Sequence, residues 1–173
     1  MPVYQTLVVS LLLTRLDYGN ATLAGISAAL LNSLQSVLNA AGRSIAGLRR
    51  SDHITVTLAS LHWLHAPERI TFKLAVIVYR FLHGTAPRYL SDQLHRVANM
   101  PSRSRLRSAS SNRLDIRPSR LVTVEDRPFA SAGPKVWNSL PEHVTSAPLL
   151  PVFRRKLKTH MFQHSYKDSV TVP

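Results

Sequence analysis

Hydrophobic residues recur at intervals of three and four along much of this 173-residue chain, a spacing typical of one face of an α-helix. The first such stretch covers residues 3 to about 18, and it predicts that Leu7 and Leu11 face inward. The second begins near Ser27 or Gly25, either of which can cap a helix. Its predicted inward face comprises Ile26, Ala29, Leu30, Leu34, Val37, Leu38 and Ala41.

Two further helices are predicted before residue 88. Asp52 can cap the first of them, which is expected over residues 54–64. Pro67 and Glu68 suit the first turn of the second of these helices. The backbone N–H groups of a first turn have no partner within the helix, so proline, which lacks this donor, loses nothing there. The carboxylate of Glu68 is favoured at the positive end of the helix dipole. Gly84 is expected to end this helix. Its apolar face is broad enough to indicate burial and comprises Ile70, Leu74, Ile77, Val78 and Phe81.

The remaining helical patterns are a short one at 87–97 and two near the C-terminus. Pro134 is expected to open a helix that Pro141 stops, since proline fits a first turn and interrupts a later one. Another helix is expected to start near Ser146. Its predicted inward face comprises Leu150, Phe153, Leu157, Met161 and His164.

An Arg/Ser-rich stretch separates these two groups of helices. From residue 96 to residue 120 there are seven arginines and one acid, Asp115. Apolar residues at 114–124 predict a short β-hairpin, in which Pro118 cannot hold a central position. We therefore expect a mainly α fold, a helical bundle with a basic loop. The expected units are a bundle at 1–97, the loop or hairpin at 98–125, a C-terminal helical region at 126–166 and a loose tail at 167–173.

The composition excludes several classes of chemistry. Cysteine is absent, which rules out disulfide frameworks, thiol catalysis and Cys-containing zinc fingers. The chain contains no GxGxxG or GxxxxGK[ST] loop, no GxSxG elbow and no HExxH motif. The pairs His62/His65 and His160/His164 could each share a helix face, but no acidic residue evidently joins either pair. We predict no catalytic residue, no metal site and no cofactor.

The charge balance instead favours a polyanionic partner. Lys and Arg number 22 against 9 acids, which gives a formal net charge of +13. A guanidinium group can donate hydrogen bonds to two phosphate oxygens at once, and it keeps its charge at any physiological pH. The alternatives are a solvated linker, a nuclear-localisation patch or a basic helix on an anionic membrane. The predicted nucleic-acid-binding residues are Arg103, Arg105, Arg107, Arg113, Arg117, Arg120, Arg154, Arg155, Lys156 and Lys158.

Aromatic residues and long apolar runs have simpler interpretations. Trp63, Trp137, Tyr79 and Tyr89 could stack on nucleobases, but their apolar helical surroundings favour the protein core. The longest apolar run, 7–13, falls short of the roughly 20 residues that span a bilayer. No Lys or Arg precedes this run, so a signal peptide is not favoured. We expect an intracellular protein, nuclear or cytoplasmic, without a membrane partner.

Short strings of residues also occur in a characteristic order and spacing. They include Arg15-Leu16-Asp17-Tyr18, Asp52-His53-Ile54-Thr55, Leu61-His62-Trp63-Leu64, Leu82-His83-Gly84 with Ala86-Pro87, and Val136-Trp137-Asn138-Ser139-Leu140-Pro141. Together they closely resemble the region beyond the polymerase core in reverse transcriptases of non-LTR (LINE-type) retrotransposons. The resemblance covers about residues 4–166.

The resemblance implies a thumb-like helical bundle and a basic C-terminal region that grip template RNA or an RNA/DNA duplex by its backbone. The palm signature of such enzymes, Tyr/Phe-x-Asp-Asp, is absent, and Asp17-Tyr18 has the reverse order with no second Asp. We therefore expect no polymerase activity from this chain alone, and the polymerase core is an expected partner. The family usually carries Ala at the positions of Gly42 and Gly133.

Two alternatives remain open at this point. The chain could be a stand-alone helical module that binds a protein partner, with the apolar helix at 70–82 as the exposed surface. It could also be a relic of a transposable element without a function of its own.

Overall fold

The computed structural model describes residues 2–18, 23–88, 93–100, 112–116 and 129–166. Helices dominate these residues, which confirms the mainly α prediction, whereas the thumb-like arrangement stays a prediction. The elements are α1 (Pro2–Val8), a π-helical turn (Val9–Leu13), α2 (Thr14–Tyr18), α3 (Ala28–Ala46), α4 (Thr55–Ser60), α5 (Ala66–Leu82), a 3₁₀ turn (Val97–Asn99), α6 (Phe129–Ser139), α7 (Glu142–Thr145) and α8 (Leu150–Ser165).

Helix α5 lies at the centre of the main core, where it packs against α3, α6 and α8. Its Tyr79 is buried, stacks on Phe153 with ring centroids 4.3 Å apart and donates a hydrogen bond to the Ala147 carbonyl at 2.9 Å. Trp137 of α6 is buried beside both rings. The predicted core positions of Trp63, Trp137 and Tyr79 are thus confirmed, whereas Tyr89 lies outside the described residues.

A second apolar cluster joins α3, α4 and the end of α8. Tyr166 closes it by donating a hydrogen bond from its hydroxyl to the Trp63 carbonyl at 2.5 Å. Burial, together with the nearby charge of Glu68, raises the pKa of Tyr166 to about 12, so its hydroxyl keeps its proton. The buried members are Leu38, Ala41, Ile54, Leu58, Trp63, Ala66 and Tyr166.

The ends of the helices match the sequence prediction at some positions and not at others. Ser27 caps α3 by accepting a hydrogen bond from the Leu30 amide, and Gly84 follows α5 with a positive φ, as predicted. Asp52 does not cap a helix, and α4 begins three residues later without a side-chain cap. The Asp52 carboxylate instead accepts a hydrogen bond from the Arg49 amide at 2.7 Å and closes the preceding turn. This helix is also shorter than the predicted 54–64.

Pro134 was expected to open a helix, but it lies inside α6. A proline here cannot donate a hydrogen bond to the carbonyl of Ala130, and its ring normally clashes with the Cβ of the preceding residue. Gly133 precedes it and has no Cβ, which removes that clash. A Cβ at Gly133 would also lie 3.1 Å from Val78 Cγ2, so the glycine permits close packing of α6 on α5.

Of the predicted hairpin at 114–124, residues 114–116 belong to the described part of the chain. Leu114 forms a single antiparallel bridge with Arg96, and the two segments exchange hydrogen bonds between backbone groups on either side of it. Residues 117–124 lie outside the described part of the chain. Of the predicted helix at 87–97, Leu94 and Val97 are buried, and Val97 begins the 3₁₀ turn.

Several residues predicted to face inward are exposed. Leu7 and Leu11 are 53% and 63% exposed, because the neighbouring positions Val8, Leu12 and Leu16, which also recur at intervals of four, form the side that packs inward. Leu30 and Val37 of α3 are also exposed, and so is His164 of α8. In residues 2–18, which we call the N-terminal segment, the residues that pack against the second cluster are Val8, Val9, Leu12, Leu13 and Leu16.

Candidate nucleic-acid interface

Helix α8 presents cations to solvent because its apolar residues lie on one side only. Phe153, Leu157 and Met161 follow one another at intervals of four and are all buried. Arg154, Arg155 and Lys158 occupy the intervening positions and are exposed. We call these three residues the α8 cation face.

Lys156 differs from its neighbours on α8. Its side chain is partly buried, and its Nζ donates a hydrogen bond to the carbonyl of His143 in α7 at 2.9 Å. The lysine therefore ties α7 to α8. Of the four cations predicted on this helix, it is the least available to a ligand.

The α8 cation face makes no ion pair with a carboxylate in the described part of the chain. The ion pairs there join Arg69 and Lys73 of α5 to Asp17 of α2, at 2.7 and 2.8 Å. Burial raises the pKa of Asp17, but the hydrogen bonds and charges of the two cations outweigh burial and hold this pKa below its usual value. Arg69 and Lys73 are thus neutralised in part, in contrast to the α8 cation face.

Arg113 belongs to a short segment, 112–116, that α6 holds in place. The Asn138 side chain donates to the Leu114 carbonyl at 2.9 Å and accepts from the Leu114 amide at 3.1 Å, as a neighbouring strand would. The Trp137 indole donates to the Asn112 carbonyl at 2.9 Å. Arg113 itself is exposed. This anchoring fixes the position of the segment that carries Arg113 relative to α6.

Half of the predicted nucleic-acid-binding residues cannot be placed. They lie outside the described residues and are Arg103, Arg105, Arg107, Arg117 and Arg120. The structure therefore brings Arg154, Arg155 and Lys158 together on one helix and adds Arg113 as a separate exposed cation. The anchoring role of Asn138 was not predicted, although a polar residue beside a core tryptophan was a usable signal in the sequence.

Several histidines make ring contacts within the fold. His160 lies edge-on to both His143 and His164, with ring centroids 6.2 and 5.3 Å apart, while His62 and His65 lie against Phe162 and Tyr166. Across the described residues, no three His, Asp or Glu side chains are arranged to hold a metal ion. Within the same ranges, the helices are too short or too polar to cross a membrane.

Comparison of the chain with protein-family profiles, with curated proteins and with solved structures finds no match in any of the three.

Proposed function

We propose that this chain binds the sugar-phosphate backbone of RNA or of an RNA/DNA duplex, as the region beyond the palm of a non-LTR retrotransposon reverse transcriptase. The observation that carries the proposal is the α8 cation face, whose three side chains are exposed and have no carboxylate partner in the described residues. The net charge of +13 supports it, since the excess of cations extends over the whole chain.

The chemistry of this face suits phosphate groups rather than bases. Arg154 and Arg155 each carry a planar fork of donors that matches two phosphate oxygens, and Lys158 adds a compact point charge. Of the aromatic side chains considered for stacking on bases, Trp63, Trp137 and Tyr79 are buried, and Tyr89 lies outside the described residues. Binding should therefore depend little on nucleotide sequence and strongly on salt.

In this proposal the chain binds the nucleic acid and catalyses no reaction itself. The sequence contains no palm aspartate pair, so in this proposal the chain positions the template or primer for a polymerase active site elsewhere. The residues argued to contact the backbone are Arg113, Arg154, Arg155 and Lys158. Lys156 contributes to the local potential while it ties α7 to α8.

The test compares two pairs of neighbouring arginines, and the replacement of either pair removes the same charge. Arg154→Gln/Arg155→Gln removes part of the α8 cation face, and Arg49→Gln/Arg50→Gln removes an exposed pair in the turn after α3. Fluorescence anisotropy with a labelled RNA/DNA duplex near 0.15 M salt measures the affinity of each. We expect the first variant to bind roughly tenfold more weakly and the second to change little. Equal effects from both pairs, or no binding by the wild type, would exclude α8 as the interface.

A second candidate function, binding of a protein partner, is supported by a different surface from the one expected. The helix at 70–82 is not available, because Leu74, Ala75 and Val78 are buried under α6 and α8. Exposed apolar residues lie instead on the N-terminal segment and on α3.

A further inference from the structure

The N-terminal segment, residues 2–18, is apolar on both sides. Its inner residues pack against the second cluster, with Leu12 and Leu16 among them. Its outer side carries large apolar residues among polar ones, and Val3, Leu7 and Leu11 are 78%, 53% and 63% exposed. Large apolar side chains grouped on an exposed face often mark an interaction site. These apolar side chains thus remain uncovered by the part of the chain that the structure describes.

The exposed side continues into a groove between this segment and α3. The groove has a volume of about 660 Å³, within the range of ligand-binding clefts, and it stays open to solvent along Leu11 and Val37. Its walls are almost entirely apolar. The lining residues are Leu11, Leu12, Arg15, Leu16, Tyr18, Leu23, Leu34 and Val37.

Charge decides which kind of partner fits this groove. Arg15 is the charged residue among those that line it, and it is exposed. Two residues further on, Asp17 is held by Arg69 and Lys73, so this end of the groove carries more positive than negative charge. A second copy of the chain would bring another Arg15 and another net charge of +13, which opposes self-association. An acidic partner gains attraction where a second copy meets repulsion.

We propose that the groove between residues 2–18 and α3 binds an amphipathic helix of a partner protein, with an apolar stripe flanked by acidic residues. Leucine-sized side chains at intervals of three and four would enter the groove between Leu11 and Val37, as in other helix-in-groove complexes. A carboxylate beside the stripe would pair with Arg15. This inference does not rest on the proposed nucleic-acid binding, because none of the lining residues belongs to the α8 cation face.

The test uses a labelled synthetic helix of about 15 residues, with leucines on one stripe and glutamates on both flanks. Two matched peptides accompany it: one has lysine in place of glutamate, and the other has the same composition without the stripe. Fluorescence anisotropy against the full chain should show saturable binding of the acidic amphipathic peptide. The lysine peptide and the scrambled peptide should bind at least about tenfold more weakly.

Single substitutions locate the site. Leu11→Gln and Val37→Gln should each weaken binding of the acidic peptide roughly tenfold, since each removes an apolar wall. Val56→Gln is the matched control, because Val56 is 73% exposed and lies on α4, outside the groove. Arg15→Glu should weaken the acidic peptide and strengthen the lysine peptide. Circular dichroism checks that every variant is folded.

Three outcomes would overturn the proposal. The first is binding of the scrambled peptide as tight as that of the striped peptide. The second is an equal loss of affinity in the Val56→Gln control. The third is a dimer in sedimentation that Leu11→Gln dissociates, which would assign the groove to a second copy. The Leu11→Gln variant should bind the RNA/DNA duplex with unchanged affinity. This measurement keeps the test of the groove separate from the test of the α8 cation face.

Discussion

Helix α5 and the N-terminal segment carry similar apolar patterns but have different surroundings. Helix α5 is enclosed by α3, α6 and α8, and its Ala75 and Val78 have no exposed surface. The N-terminal segment packs on α3 along one side and leaves Leu7 and Leu11 in solvent. Apolar residues on several sides of a helix therefore indicate how much of its surface favours burial. It does not indicate whether the cover belongs to the same chain.

The largest expected contrast between the two helices is in the free energy of unfolding. Leu74→Ala in α5 should destabilise the protein by about 2–5 kcal/mol, because Leu74 is 2% exposed and its loss leaves a cavity. Leu11→Ala in the π-helical turn should change stability by less than about 0.5 kcal/mol. Urea unfolding of both variants measures the contrast. Equal losses would mean that the outer side of the N-terminal segment is covered after all.

A smaller effect is expected where α6 approaches α5. Gly133→Ala should destabilise by about 1–3 kcal/mol, since the new Cβ would lie 3.1 Å from the buried, stiff Val78 side chain and would also meet the ring of Pro134.

Gly42→Ala is the matched comparison for this glycine. Its Cβ would lie 3.0 Å from Leu58 Cδ2, the end of a longer side chain, and the substitution gains roughly 1 kcal/mol of helix propensity. We expect the two effects at Gly42 to cancel approximately. Thermal unfolding distinguishes the two sites, and a stabilised Gly133→Ala would contradict the packing described for α6.

The smallest expected effect concerns the ion pairs that hold the N-terminal segment to α5. Asp17→Asn should cost roughly 1 kcal/mol at neutral pH, because the site is only partly buried. The folded pKa of Asp17 is lowered, so the contribution of its carboxylate is fully present above the unfolded pKa of 3.8 and is lost as the pH falls through the lower folded value. The difference between wild type and Asp17→Asn should thus be constant from about pH 7 to pH 5 and shrink below about pH 4. A difference that grows on acidification would exclude this ion pair as its source.

The sequence predicted those helices whose signals are local. Ser27 before an apolar stripe, and Pro67 with Glu68 at one end of α5 and Gly84 at the other, marked their helices correctly because caps and first-turn residues act within a few positions. The failures have non-local causes. Pro134 lies inside α6, where Gly133 before it has no Cβ to clash with its ring and lies close to Val78 of α5. The pairing of Leu114 with Arg96 and Asn138, which also joins distant residues, was not predicted.

The candidate site was predictable to a similar degree. The periodicity of Phe153, Leu157 and Met161 alone places Arg154, Arg155 and Lys158 on the outer side of α8. That the α8 cation face would lack carboxylate partners among the described residues could not be read from the chain, because ion pairs join distant residues, as Asp17 and Arg69 show. The bond from Lys156 to the His143 carbonyl is another contact of this kind.

The most direct test of the central claim is the salt dependence of binding to single-stranded RNA. Each phosphate neutralised by a cation contributes about −0.7 to the slope of log affinity against log salt concentration. The account predicts a steep negative slope for the wild type, a slope shallower by about 1.4 for Arg154→Gln/Arg155→Gln, and an unchanged slope for Arg49→Gln/Arg50→Gln. A wild-type affinity that does not respond to salt, or identical slopes for all three proteins, would contradict the assignment of α8 as a phosphate-binding face.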